Sequence, residues 1–158
     1  MRKWPEAVER VARVLRAAAV DARLEELPTG TPTAESAARA LGSALGDIVK
    51  TLVFVCDQAY VLALVPGDRR ADARRVAAAA RAERARIATP EEVIEATGFE
   101  PGAVAPFPVL RVRRVLIDRR LLGSELVWAG AGSARHMVAL APEDLIRVSQ
   151  AEIADLTD

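Results

Sequence analysis

A lysine set inside an apolar run is the first residue that invites a chemical reading. In Ile48-Val49-Lys50-Thr51-Leu52-Val53-Phe54, Lys50 shares a strand face with Ile48, Leu52 and Phe54. Of the 22 basic residues, only Lys3 and Lys50 are lysine. An ammonium on an apolar face is costly unless it is paired or lines a wet cleft. Lys50 is therefore a candidate for holding an anion. The structural alternative is a strand-end lysine whose stem covers apolar surface while its amine reaches water.

The second candidate is Gly98-Phe99-Glu100-Pro101-Gly102-Ala103-Val104-Ala105-Pro106-Phe107. Glycine lets a backbone approach a ligand closely and proline stiffens the loop. Exposed N–H groups there can hold an anion or polarise a carbonyl; the alternative is a plain connection. His136, which follows the Gly-rich stretch Gly130-Ala131-Gly132-Ser133, is as readily a satisfied structural histidine as a functional one. Asp118 ends an apolar run and could orient a neighbour.

Familiar catalytic signatures are missing: there is no GxSxG elbow, P-loop, HExxH or CxxC. Gly130-x-Gly132 lacks the third glycine of a dinucleotide fingerprint, and a strand follows it. Ser133 and His136, three apart in one strand, should face opposite ways, which speaks against a nucleophile–base pair. One histidine and one cysteine leave no zinc-ligand set, so no metal is expected.

The elements that must position these residues follow from period and punctuation. Val8, Val11, Val14, Leu15 and Ala18 give a helix over 5–18 opened by Pro5. A short strand is expected at 23–27. A second helix opens at Thr31-Pro32-Thr33, with a Thr cap, and ends at Gly42. Residues 48–55 read as a central strand covered on both faces, turning at 57–59 into a second strand over 60–65. Ala71–Arg84 reads as a helix and 86–88 as a short strand. Thr89-Pro90-Glu91-Glu92 is a capping box opening a helix that ends at Gly98. Strands are expected at 109–112, 115–117, 126–129 and 136–141, the last two separated by the Gly130–Ser133 stretch, and a closing helix at 142–148. The whole predicts one α+β (mixed α/β) domain over 1–158, with a mixed sheet and flanking helices.

With 158 residues, 51% hydrophobic and 28% charged, the chain reads as globular. No apolar run approaches the ~20 residues of a membrane span, and the first residues lack the apolar core of a signal peptide. The lone Cys56 allows no internal disulfide; it reads as a buried inert thiol in a cytoplasmic protein. Basic and acidic residues balance at 22 each. Arginines nonetheless crowd 69–86 and 111–120, either as a solvated face or as a surface for an RNA end.

Taken in order, Thr33–Gly42, Ile48–Phe54, Val61–Arg69, Thr97–Phe107, Val115–Asp118 and Val127–Ser133 resemble the YbaK-like family. That family is similar to the editing domain inserted in bacterial prolyl-tRNA synthetases. The resemblance covers roughly residues 5 to 155. It implies a strongly curved mixed sheet and a cleft for the 3′ end of aminoacyl-tRNA. It implies Lys50 as the key lysine, Gly102–Pro106 as the GxxxP loop, and His136 and Asp118 as further catalytic candidates. Substrate contacts are expected from Thr33, Thr51, Leu52, Phe54, Ala103, Val104, Ala105, Pro106, Gly130, Gly132 and Ser133.

The implied activity is hydrolysis of a mischarged small amino acid (Ala, Cys, Ser or Thr) from tRNA, with tRNAPro as the expected carrier and no cofactor. Prolyl-tRNA synthetase or an elongation factor is a candidate delivering partner. The rival readings are a non-catalytic module that binds tRNA ends or a synthetase, and a hydrolase for another small activated ester. The residues do not define an oligomeric state.

Overall fold

The structure, a computed structural model, describes residues 4–158. Helix α1 (Glu6–Ala17) buries Val8, Val11, Ala12 and Leu15 on one stripe, as its apolar spacing dictates. Strand β1 (Arg23–Glu26) leads to α2 (Ala34–Leu41), capped by Thr33, whose side chain accepts from the Ser36 N–H. A short 3-10 turn at Leu45–Asp47 delivers the chain into the hairpin of β2 (Val49–Cys56) and β3 (Ala59–Pro66). Then follow α3 (Ala73–Ala79), β4 (Ala85–Ile87), α4 (Pro90–Thr97), β5 (Val112–Asp118), β6 (Val127–Ser133), β7 (His136–Leu140), α5 (Pro142–Ser149) and β8 (Glu152–Ala154).

The strands divide into two hydrogen-bonded sheets rather than one. The larger is mixed, in the order β4-β2-β3-β5-β8, with β3/β5 and β5/β8 parallel; the smaller is antiparallel, in the order β1-β7-β6. An isolated parallel bridge between Ile48 and Trp128 joins them. The mixed α/β class expected from the sequence holds.

The large sheet is covered on both faces, as the apolar residues on both alternating faces of β2 and β3 require. On one face Val49, Val53, Leu62, Leu64 and Ile117 pack with α1, β6 and β7. On the other, Phe54, Cys56, Val61, Ala63 and Val65 pack under Val76 of α3 and Leu156. Burial pushes the Cys56 thiol pKa up, and the neighbouring Asp57 adds to the shift. Among the described residues no helix is long and apolar enough to cross a membrane.

Four boundaries differ from expectation, each for a visible reason. Helix α3 starts at Ala73, because Asp72 caps it by accepting from Arg74 N–H at 2.9 Å. It stops at Ala79 because the Asp57 carboxylate captures the N–H groups of Glu83 and Arg84, drawing them to the hairpin and into β4. Residues 109–111 are not a strand: Arg111 N–H donates to Ala96 O at the end of α4, so pairing with β3 begins only at Val112. The Gly130–Ser133 stretch belongs to β6, and the turn before β7 is Ala134-Arg135. Strand β8, too short for a periodic signal, was not anticipated.

Candidate functional site

A hollow of about 480 Å³ opens where the start of β2 meets the N-terminal turn of α2, the 100–104 loop and the small sheet. Lys50 and Gly102 both line it, together with Thr33, Thr51, Leu52, Val104 and Gly130. Seven of the expected site residues therefore meet in one place.

Lys50 stands on the same face of β2 as Leu52 and Phe54, opposite Val65 in β3. It is half-buried, and its Nζ donates to the main-chain carbonyl of Arg69 in the turn that leaves β3. One donor is thereby used on the fold, and the ammonium keeps two more for other acceptors.

The loop is built around a turn. Ala103 N–H donates to Glu100 O at 3.0 Å, with Pro101 and Gly102 as the central residues and Gly102 at φ +82°. This is the type II geometry, which takes proline first and needs positive φ second. A Cβ on Gly102 would meet nothing within 4 Å, so its constraint is the backbone angle rather than crowding. Ala103 N–H is spent inside the turn, whereas the N–H groups of Gly102 and Val104 make no hydrogen bond among the described residues. Beyond the turn, Ala103, Ala105 and Pro106 are buried and do not line the hollow.

Val104 is pressed against the small sheet. A Cβ at Gly130 would stand 2.6 Å from Val104 O, so only glycine admits the loop there. Gly132 serves a different contact: its Cβ would lie 2.8 Å from Ala7 O, where α1 crosses β6. Phe54 is packed into the α3-side core. Thr51 Oγ1, on the face of β2 opposite Lys50, is buried without a hydrogen-bond partner among the described residues.

The remaining candidates sit elsewhere. Ser133 and His136 do face each other, contrary to the expectation from spacing. They end β6 and begin β7, pair in register, and bring Ser133 Oγ within 2.5 Å of His136 Nδ1. The pair is nonetheless outside the hollow: His136 is buried edge-on against Trp4, and it is the next residue, Met137, that lines the hollow. Asp118 is also buried. It accepts from Arg120 N–H at 2.9 Å, Leu156 N–H at 2.9 Å and Thr157 Oγ1 at 3.1 Å, which fixes the C-terminal segment.

Much of the arginine excess is paired on the surface, as in Arg75–Asp72, Arg86–Glu92, Arg114–Glu152 and Arg119–Asp155. Sequence reading placed Thr33 in the site but not Ala34, Glu35 and Ala37, which follow it in the first turn of α2. The signal for it was Thr33-Ala34-Glu35-Ser36, whose cap fixes that turn beside β2.

Comparison with known proteins agrees with this fold. The family model of the aminoacyl-tRNA editing domain matches residues 29–148. The uncharacterized protein YwhH of Bacillus subtilis is 31% identical over 129 residues, covering 81% of this chain and 82% of that protein. A proline–tRNA ligase of Nitratidesulfovibrio vulgaris is 38% identical over 114 residues, covering 72% of this chain but only 20% of the ligase. A crystal structure described as a candidate trans-editing enzyme for prolyl tRNA synthetase superposes with a TM-score of 0.91 at 36% identity, covering 99% of both chains. The chain belongs to the aminoacyl-tRNA editing domain family.

Proposed function

We propose that the protein is an aminoacyl-tRNA deacylase that removes small mischarged amino acids from tRNA, with tRNAPro as the principal carrier. The observation that carries this reading is that Lys50 and Gly102 line one hollow. The family relationship to prolyl-tRNA ligases supports the choice of tRNA.

An aminoacyl ester is already activated, so no strong protein nucleophile is required. Water adds to the ester carbonyl carbon, the bond to the ribose oxygen breaks, and that oxygen leaves as a hydroxyl after taking a proton. The free N–H groups of Gly102 and Val104 suit the carbonyl oxygen as charge develops on it. One donor of that kind is worth about 10²–10³ in rate. Lys50 provides a point charge for the terminal nucleotide's phosphate. Holding both ends of the ester brings the water and carbonyl into line, which lowers the barrier by positioning. Leu52, Val104 and Met137 give the amino-acid side an apolar wall. A second sieve of this kind is useful because one methylene discriminates by only about 1–3 kcal/mol in a binding site.

The test is a deacylation panel: tRNAPro and a second tRNA, each charged with Ala, Cys, Ser, Thr and Pro. Release of the small non-cognate amino acids, with Pro retained, is the expected result. Binding without release on every member would instead identify a non-catalytic module. Turnover of free amino-acid esters alone would identify a hydrolase without an RNA substrate.

A further inference from the structure

The rim of the hollow carries two charges, and only one of them has a role so far. Among its described lining residues, Lys50 and Glu35 are the charged ones. Glu35 is exposed and makes no ion pair among the described residues, whereas Asp72, Glu92, Glu152 and Asp155 each pair with an arginine. Its backbone is held firmly. Thr33 N–H donates to Ser36 Oγ and Ser36 N–H donates to Thr33 Oγ1, each at 3.1 Å, closing the first turn of α2 around it. Gly67 locks that turn to β2: a Cβ there would lie 2.6 Å from Leu45 O, 3.1 Å from Ala34 Cβ and 3.2 Å from Ile48 Cβ. The residue after Ala34 and the residue two beyond Ile48 are thus fixed on adjoining walls.

Resting on the deacylase reading, we propose that Glu35 is a specificity-determining residue that receives the α-ammonium group of the esterified amino acid. The substrate has a matching polarity. Its scissile carbonyl lies between an amine, cationic when protonated, on one side and anionic phosphate on the other. A carboxylate and an ammonium on the two walls admit that molecule in one orientation, with the carbonyl left facing the Gly102 turn. A charge-assisted hydrogen bond from the amine to Glu35 supplies the selection. It also excludes esters whose amine is blocked, such as N-acylated or peptidyl-tRNA.

A first-turn glutamate also favours a helix N-terminus, so the test must separate recognition from helix stability. The mischarged tRNA turned over fastest in the panel is compared with its N-acetyl derivative, using the full chain and Glu35→Gln. Glu35→Gln is expected to lower kcat/KM on the free-amine substrate about tenfold. It should leave the N-acetyl substrate unchanged, so that the ratio between the two falls by the same factor. A ratio equal to that of the unsubstituted protein, including an equal loss on both substrates, overturns the assignment alone. No hydrolysis of either substrate by the unsubstituted protein overturns the deacylase reading and this assignment with it.

Discussion

The Lys50 ammonium donates to the carbonyl of Arg69, nineteen residues downstream. The side chain that faces the hollow is therefore also anchored to the turn leaving β3, which limits where its charge can lie. Lys50→Ala is expected to reduce deacylation by about 10²-fold or more, as loss of a preorganised donor does. Because the residue is half-buried at a strand end, melting should change little. Single-turnover deacylation and thermal unfolding of the same sample check both halves; full activity would remove Lys50 from the mechanism.

Gly102 is held at φ +82° with open space around its missing Cβ. Gly102→Val therefore strains the backbone rather than colliding with a neighbour, at a cost on the order of 1–3 kcal/mol. The turn is expected to relax, moving the Gly102 and Val104 N–H groups and lowering kcat about 10²-fold. Unchanged turnover would argue against main-chain catalysis.

Asp118 separates a structural role from a catalytic one. Its carboxylate serves three donors. Asp118→Ala leaves buried Leu156 N–H without an acceptor and should lower stability by roughly 1–3 kcal/mol. Urea unfolding reads the loss. The kcat of the folded fraction should match the unsubstituted protein, whereas a large fall at full folding would place Asp118 in the chemistry.

Acid should loosen the β4–α4 corner. Hydrogen bonds from Arg86, then from Thr89 N–H, hold the Glu92 carboxyl down to about 2. An unfolded glutamate titrates near 4.3. A depressed folded value means this contribution is present above about pH 4.3 and is lost as pH falls toward 2. Glu92→Gln should melt earlier than the unsubstituted protein at pH 7, with the gap closing on acidification. Thermal melts from pH 7 to 2.5 measure it; a gap independent of pH would contradict the linkage.

Punctuation and period were the legible parts of the sequence. Thr89 and Glu92 form the expected capping box, and Thr33 caps α2. The apolar run 48–55 is a strand covered on both faces. Lys50 and Gly102, separated by a third of the chain in sequence, do line one hollow. What escaped depends on contacts between distant segments. Asp57 ends α3 from another element, and Arg111 is drawn to α4. The glycines at 130 and 132 read as a break between two strands because their composition suits one. Their lack of side chains instead admits Val104 and Ala7 against a strand. Ser133 and His136 were assigned to one strand, so the two-residue turn that brings them face to face was invisible to spacing.

The bridge between Ile48 and Trp128 gives the hollow an unusual mechanical setting. Lys50 rides on one sheet, Gly130 and Met137 on the other, and the isolated bridge crosses between them just two residues before Lys50. The gap in which an ester would sit is consequently a joint between two slabs rather than a dent in either. Val53 of one sheet shares a core with Val127, Ala129 and Val138 of the other, so a change of bulk there would shift one wall of the hollow relative to the other and retune its width from positions that do not line it.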